Sequence, residues 1–323
     1  MLLPSLAKEL RDIANSLIIP EELKKFKTEI KAKKAKEISK KFNVFAIDSS
    51  YSTPPLDVLN GEFYAYSYGY LSNLGDKEIY YGVKLSEKEE ITNFLIKKER
   101  ELAVKIIEER DDKADIIILD GPINNFPGAP FKISNKLVDT LKKLLNLARE
   151  NNVAIIGFPK RVRSLYIAML CNMPEKNLVY DRAAITYVLD ENEYFVIGKL
   201  RDAVEKYARY LKSVGKAVDN AKDAITKLPT YGDVYVVAFK TNIGNKVEIF
   251  ANEEQLEEII SYLIKLCSKN VFPFILDEVD KFVRITRNDT MNAYMNLLKI
   301  ANKEAIRNIL LLANPQKKYL FAD

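Results

Sequence analysis

Two aspartates follow apolar, β-prone runs in this sequence and are the side chains best placed to do chemistry. The run 43–47 ends on Asp48, and the run 114–119 ends on Asp120. In open α/β sheets, ligands bind outside the carboxyl ends of the strands, so aspartates delivered to that edge would lie side by side. Carboxylate oxygens are ligands that Mg²⁺ and Mn²⁺ prefer. The pair therefore predicts a divalent-cation site.

The absence of histidine limits the chemistry that remains. Ser-His-Asp and Cys-His nucleophilic sites, HExxH zinc sites and imidazole bases are all excluded. Cys171 and Cys267 lie far apart and without CxxC spacing, so neither a disulfide framework nor a cysteine zinc site is expected. Any catalysis must rest on carboxylates, Lys, Tyr and metal ions.

Length and composition predict a folded cytoplasmic protein. The chain has 323 residues, of which 48% are apolar, so it can bury a substantial core. No basic leader is recognised, and no apolar run approaches the roughly 20 residues that span a bilayer, so we expect no membrane contact. The formal charge of +5 neither requires nor excludes nucleic acid. Abundant Lys, Glu and Ile without Trp resembles the composition of thermophile proteins.

The elements around both aspartates alternate between strands and helices. Strands at 43–48, 62–70 and 79–85 predict an antiparallel meander. A helix at 87–110 comes next, and a strand at 114–120, a helix at 134–150 and a strand at 153–158 then form a parallel crossover. The pattern predicts the α/β class, with a mixed sheet flanked by helices.

The remaining segments predict helical additions to that sheet. Two helices are expected over 5–41, separated near Pro20, and the lysine-rich second one offers either a solvated face or a phosphate-contacting face. The prediction continues with a polar helical stretch at 201–228, a hairpin at 234–239 and 247–250, a helix at 253–268 and a mainly helical remainder from Pro273. We expect one domain over 1–323, with a core of about 42–160 plus 230–290 and a helical insertion at about 200–230.

Two further acids stand out on helices. Glu99 falls on the apolar stripe of its helix, where a carboxylate is costly to bury unless it meets a cation or hydrogen-bond donors. If the helix is rotated so that Glu99 reaches solvent, Glu101 becomes the alternative functional acid. Asp280 lies near the start of the helix after Pro273.

A basic loop directly follows the strand at 153–158. It contains Lys160, Arg161, Arg163 and Ser164, close to the sheet edge where Asp48 and Asp120 are expected. That location favours phosphate contact over a plain charge cluster at a helix start.

The acids follow the order found in ribonuclease H-like nucleases. Asp48 lies on the first meander strand, Glu99 on the next helix, Asp120 at the end of the following strand and Asp280 on a late helix. Such sites hold two divalent ions that serve an in-line phosphoryl displacement. A ribonuclease H-like sheet is therefore the expected core. A sugar-kinase or actin-like ATPase, which also begins with a strand ending in Asp, lacks its Gly-rich phosphate loops here.

Five segments also resemble a known family, the NurA nucleases. They are 46–50 (AIDSS), 99–103 (ERELA), 118–122 (ILDGP), 158–164 (FPKRVRS) and 272–280 (FPFILDEVD). The resemblance implies an archaeal homodimeric deoxyribonuclease, acting as an exonuclease and single-strand endonuclease, that processes DNA ends with the HerA translocase in double-strand break repair. It also implies that Asp48, Glu99 and Asp120 are catalytic ligands of Mn²⁺ or Mg²⁺ and that Lys160 contacts phosphate.

The last segment departs from the family pattern. Many members carry a tyrosine and a histidine where this sequence has Phe272 and Asp280. Aspartate can still bind Mn²⁺, so Asp280 is expected to complete the ligand set. The departure leaves a second hypothesis open, a catalytically weak subunit that keeps the nuclease fold and clamps DNA or regulates HerA.

Overall fold

The computed structural model describes residues 19–59, 61–109, 113–123, 135–160, 162–215, 234–267 and 271–300. Several predictions lie outside these residues: the helix before residue 19, most of the loop after Asp120, Arg161, the part of the predicted 200–230 insertion that follows residue 215, and everything beyond residue 300. The prediction of one domain over 1–323 stays a prediction.

Ten strands form one sheet within the described part of the chain. In chain order they are β1 (Lys33–Lys34), β2 (Val44–Tyr51), β3 (Leu56–Val58), β4 (Gly61–Ser72), β5 (Lys77–Ser86), β6 (Ile116–Asp120), β7 (Ala154–Phe158), β8 (Glu193–Lys199), β9 (Val234–Lys240) and β10 (Gly244–Phe250). The α-helices are α1 (Glu21–Glu29), α2 (Lys88–Glu109), α3 (Asn135–Glu150), α4 (Tyr166–Leu170), α5 (Asp181–Val188), α6 (Leu200–Ser213), α7 (Glu253–Cys267), α8 (Phe274–Phe282) and α9 (Arg287–Ile300).

Five strands form the predicted core, in the spatial order β5-β4-β2-β6-β7. β4 is antiparallel to both β2 and β5, which completes the meander. β6 runs parallel to β2, and β7 runs parallel to β6, as the crossover predicts. The α/β class and the ribonuclease H-like mixed sheet are thereby confirmed. The hairpin β9–β10 extends the sheet beyond β7, followed by β8 and β1.

Helices cover both faces of this sheet. Because side chains alternate along a strand, Phe45 and Ile47 face a cluster that includes α2 and α3 residues, whereas Val44 and Ala46 face a cluster built with α7 and α8. A sheet buried on both faces needs apolar residues at successive positions, which explains the continuous apolar runs of β2, β6 and β7.

The prediction of a helix over 21–41 is wrong beyond Glu29. The chain instead forms the short edge strand β1, which pairs with β8, while Ala35 and Ile38 pack against the sheet core. Three lysines form ion pairs with α7, Lys33 and Lys36 with Glu257, and Lys40 with Glu258. These contacts outweigh helix propensity, and they make the lysines part of a solvated surface. None of the described helices is long and apolar enough to cross a membrane.

Candidate metal centre

Asp48 and Asp120 lie on neighbouring parallel strands. The pairing of β2 with β6 ends at Ile47 and Leu119, so the two aspartates come next in register. The prediction that the strand ends at Asp48 is wrong, because β2 continues to Tyr51 through its pairing with β4. Asp120 does end β6, and Gly121 follows with a φ of 118°, a conformation that favours glycine. The chain thus turns away and leaves both carboxylates at the sheet edge.

The helix α8 brings Asp280 to the same edge. The prediction that Asp280 lies near the start of its helix is wrong, because α8 ends at Phe282 and Asp280 lies in its last turn. The C-terminal end of α8 is tied to the sheet, because the Ser67 hydroxyl donates to the Val283 carbonyl and the Ile285 N–H donates to Ser50 Oγ at 3.2 Å. Gly69 lies opposite Asp48 on β4, and a Cβ there would come within 3.3 Å of the Val283 side chain and overlap the backbone of β5. The missing side chain therefore leaves room for the backbone of β5 and for Val283, the residue that follows α8.

Three carboxylates converge as a result. One oxygen from each of Asp48, Asp120 and Asp280 lies within 4.8 Å of the others, and we call these three residues the acidic cluster. The ammonium of Lys160, just beyond β7, lies 3.3 Å from Asp48, 3.1 Å from Asp120 and 2.9 Å from Asp280. Arg284 adds a second cation, 3.0 Å from the outer oxygen of Asp280.

Burial and like charge act together on the inner acids. Asp48 is only 3% exposed. Burial and the charge of Asp120 raise the pKa of Asp48 to about 8, against the opposing charge of Lys160. Burial also raises the pKa of Asp120, although Lys160 opposes it. Partial burial acts in the same direction on Asp280, but hydrogen bonds from Lys160 and Arg284 outweigh it and lower the pKa of that carboxyl.

Glu99 approaches the edge from the opposite face of the sheet. Ser49 points to that face, and its hydroxyl donates to the Glu99 carboxylate. Glu99 is 8% exposed, and burial and then the charge of Asp48 raise its pKa well above the usual range. Glu101 instead pairs with Lys97 and Lys98 at the helix surface. The buried position expected for Glu99 is therefore observed.

The basic loop is divided between three environments. Lys160 joins the acidic cluster, Arg163 is exposed, and Arg161 lies outside the described residues. The Ser164 hydroxyl donates to Asp181 at 2.6 Å. Asp181 is 0% exposed and also accepts the Ile167 N–H at 2.8 Å, so it fixes the end of this loop.

Arg182 is a residue near the cluster that sequence reasoning missed. Its Nη2 donates to the Lys160 carbonyl at 2.8 Å, and its guanidinium lies 5.5 Å from the centroid of the Phe272 ring. Phe272 in turn packs edge-on against Phe158 at 5.9 Å between centroids. Arg182 thus holds the backbone from which Lys160 extends. Its position one residue after the acid that opens α5 carries no signal of this role in the sequence.

A sequence model of the NurA domain matches residues 42–285. The chain belongs to the NurA family. This confirms the family that the five segments resemble, and with it the prediction of a nuclease-family enzyme. The match ends after α8, so it includes every member of the acidic cluster, Glu99 and Lys160.

Solved NurA structures share the fold. The NurA nuclease from Sulfolobus solfataricus is 15% identical, with a TM-score of 0.51, over 93% of this chain and 97% of that one. A NurA structure with manganese is 11% identical, with a TM-score of 0.52, over 93% of this chain and 98% of that one. A further NurA structure reaches a TM-score of 0.53 at 11% identity, over 96% of this chain and 100% of that one. A comparison with curated protein sequences found no significant match.

The donor set of the acidic cluster fits a divalent cation. All three groups are carboxylates, which supply hard oxygen ligands and negative charge. Neither cysteine is among them. The cluster therefore suits Mg²⁺ or Mn²⁺ better than a softer metal that prefers sulfur or nitrogen.

Proposed function

We propose that the protein is a divalent-metal-dependent deoxyribonuclease that hydrolyses DNA phosphodiester bonds at the acidic cluster. The observation that carries this proposal is the convergence of three carboxylate oxygens within 4.8 Å at the carboxyl edge of a mixed sheet. Membership of the NurA family and the manganese in a related structure support it. Both exonuclease and single-strand endonuclease activity are proposed.

Each residue at the edge has a role in this proposal. Asp48, Asp120 and Asp280 hold the cation, and Glu99 completes the ligand set for a total of two ions. When bound, these ions activate the attacking water and stabilise the charge that develops on the leaving oxygen. Lys160 binds a non-bridging oxygen of the scissile phosphate, because its ammonium already reaches all three members of the cluster.

The DNA path continues from the cluster along the basic loop. Arg163 is exposed and contacts a neighbouring phosphate, with Arg161 beside it in sequence. Ser164 holds the end of the loop in place, since its hydroxyl donates a hydrogen bond to Asp181. The mild net charge of +5 is consistent with binding through a local basic loop rather than through the whole surface.

Family membership supports a proposal for partners and setting. We propose a homodimer that works with the HerA translocase on DNA ends during double-strand break repair in the cytoplasm. In this arrangement the translocase would deliver strands to the acidic cluster.

A second function is favoured by the altered last segment, in which Phe272 and Asp280 stand where the family resemblance implies a tyrosine and a histidine. The Phe272 ring has no hydroxyl to offer and is packed between Phe158 and Arg182. The protein would then be a catalytically weak subunit that clamps DNA or regulates HerA.

One assay separates the two functions. Purified protein is incubated with a 5′-labelled single-stranded oligonucleotide in Mn²⁺ or in EDTA, and binding is measured in parallel. Degradation in Mn²⁺ alone supports the nuclease. Binding with no degradation in either condition would reject it in favour of the clamping subunit.

A further inference from the structure

One lysine contacts all three acids at the candidate metal centre. The Lys160 ammonium contacts Asp48 Oδ2, Asp120 Oδ2 and Asp280 Oδ1 at 3.3, 3.1 and 2.9 Å. Its side chain is 21% exposed, and that of Asp48 is 5% exposed, so solvent screens these pairs only in part. Removing the ammonium would leave Asp48 and Asp120 close together without the cation that they share, while Asp280 would keep Arg284.

A divalent ion held by the acidic cluster needs the same carboxylates. A carboxylate oxygen that accepts a hydrogen bond from an ammonium uses the lone pairs and the negative charge that attract a metal. A small ion and the ammonium would also repel each other within the 4.8 Å that separates the cluster's oxygens. The two cations are therefore mutually exclusive partners of the cluster.

We propose that Lys160 is a built-in competitor of the metal, which stabilises the acidic cluster in the metal-free protein and is released to the DNA phosphate when a divalent ion binds. This inference rests on the proposed function, since it assumes that the cluster holds the ion. It gives Lys160 a second role, the control of metal affinity.

The backbone around Lys160 is held in place, so only the lysine side chain has to move when the metal replaces its ammonium. Arg182 donates to the Lys160 carbonyl at 2.8 Å, and Arg182 is itself placed over Phe272. Phe158, which precedes the loop, is completely buried. A lysine stem has four rotatable bonds, so its ammonium can leave the carboxylates while the backbone stays in place.

The exchange couples metal and DNA. A phosphate that binds the released ammonium removes a competitor from the acidic cluster, so DNA raises the affinity for metal. Linkage requires that the metal raise the affinity for DNA by the same factor. Metal-free protein would then bind DNA through the basic loop alone.

The test measures Mn²⁺ binding directly, by the loss of the free-ion electron paramagnetic resonance signal, without DNA. Lys160→Met should bind Mn²⁺ at least about tenfold more tightly than the parent. Lys281→Met is the matched control. It also replaces a lysine by methionine, but Lys281 lies on α8 and pairs with Glu278 rather than with the acidic cluster. The control should bind within about twofold of the parent.

The outcomes distinguish this inference from the proposed function. If the parent binds no Mn²⁺, both fail. If the parent binds Mn²⁺ and Lys160→Met binds it equally or more weakly, Lys160 is no competitor and only the inference fails. If Lys160→Met does not fold, Lys160→Gln keeps the polarity and much of the length and must show the same tighter binding.

Thermal unfolding supplies a second readout. In EDTA, Lys160→Met should melt below the parent, because its carboxylates lose their cation, and saturating Mn²⁺ should raise its melting temperature more than it raises that of the parent. Equal shifts in the two proteins would overturn the inference.

Discussion

Two buried acidic sites lie at opposite ends of the loop that follows β7, and they differ in how their charge is balanced. At one end, the acidic cluster places three carboxylates around Lys160, with Arg284 on the outer side of Asp280. At the other end, Asp181 stands alone among donors. It accepts the Ser164 hydroxyl and the Ile167 N–H, and the charge of the buried Lys246 acts on it.

The neighbours of Asp181 and those of Asp48 affect the carboxyl pKa in different ways. Burial raises the pKa of Asp181, and its charged and hydrogen-bonding neighbours all oppose the shift. At Asp48, the next cause after burial is another carboxylate, Asp120, which raises the pKa further. A buried carboxylate whose charge is balanced by hydrogen-bond donors and a cation stabilises the fold. Several carboxylates that share one ammonium keep excess negative charge, which a bound metal ion can balance. Asp181 therefore has a structural role, and the acidic cluster is the candidate site.

The sharpest test of this contrast is Asp48→Asn, with Asp120→Asn as its partner. An amide cannot supply the negative charge that the ion needs, so cleavage should fall by about a thousandfold, equivalent to several kcal/mol of transition-state stabilisation. The melting temperature of Asp48→Asn in EDTA at neutral pH should not fall, since the amide replaces a carboxyl whose raised pKa of about 8 leaves it protonated there. Asp277→Asn, the same change on α8 outside the cluster, should keep full activity in the oligonucleotide assay. Substantial cleavage by either cluster variant would remove the metal argument.

Asp181→Ala should have the opposite effect. Loss of this acceptor leaves Ser164 and a backbone N–H unsatisfied and Lys246 without its counter-charge, so unfolding in urea should show a loss of about 3 kcal/mol. Asp202→Ala, at the exposed first turn of α6, should cost less than about 1 kcal/mol. If Asp181→Ala is as stable as its control, the structural reading of this site is wrong.

Glu99 and Glu101 offer a comparison within one helix. Glu99→Gln should slow cleavage by roughly a hundredfold, because the buried acid contributes charge at the cluster edge. Glu101→Gln loses only surface pairs with Lys97 and Lys98 and should change the rate by less than about twofold. Single-turnover rates in saturating Mn²⁺ decide the ranking, and the reverse order would assign the role to Glu101.

The pH dependence of metal binding should follow Asp48. Its pKa of about 8 means that a proton occupies this carboxyl at neutral pH and must leave when the ion binds. Mn²⁺ affinity should therefore rise with pH by up to about tenfold per unit and level off above about pH 8. Isothermal titration at pH 6, 7 and 8 measures this slope, and an affinity that does not change with pH would contradict it.

The same shift has an opposite consequence for stability without metal. The folded pKa lies above the unfolded value of about 3.9, so the folded protein holds a proton that the unfolded chain loses, and this contribution to stability falls as the pH rises from about 4 to about 8. Asp48→Asn should flatten that fall in EDTA, whereas Asp277→Asn should leave it unchanged.

The smallest effect is expected at Arg163. Arg163→Ala should weaken DNA binding in EDTA and reduce the slope of log affinity against log salt by about one unit, the value of one lost phosphate contact. Arg209→Ala, an exposed position on α6, serves as control. Equal slopes for the two variants would leave Arg163 outside the DNA path.

The core of the fold could be predicted from the sequence because its signals are local. Apolar runs that stop at turn residues located β2, β6 and β7, and the apolar period of α2 predicted the burial of Glu99. The end of β2 was misplaced because a strand can lose one neighbour at Ile47 and keep the other to Tyr51. Composition cannot reveal that second pairing.

Contacts between distant segments explain the other failures. Propensity favours a helix through the lysines after Glu29, but pairing with β8 and ion pairs with α7 prevail there. The hydrogen bond from Arg182 to Lys160 and the pairing of Ser164 with Asp181 have no periodic or spacing signal. Residues that position a site are harder to find than residues that form it, since their partners are known only after folding.

The attachment of α8 to distant strands determines when the acidic cluster can form during synthesis and folding. Ser67 and Ser50 reach across 216 and 235 residues to hold the end of this helix, and Lys160 meets Asp280 across 120. Contacts of such long sequence separation are slow to form, because closing a long loop costs chain entropy before the contact offsets it. During synthesis, β2 and β6 leave the ribosome well before α8 exists, and domains fold largely as units. A growing chain therefore carries two of the three carboxylates of the acidic cluster but not the third, and the cluster is completed only when nearly all of the matched NurA region has been made.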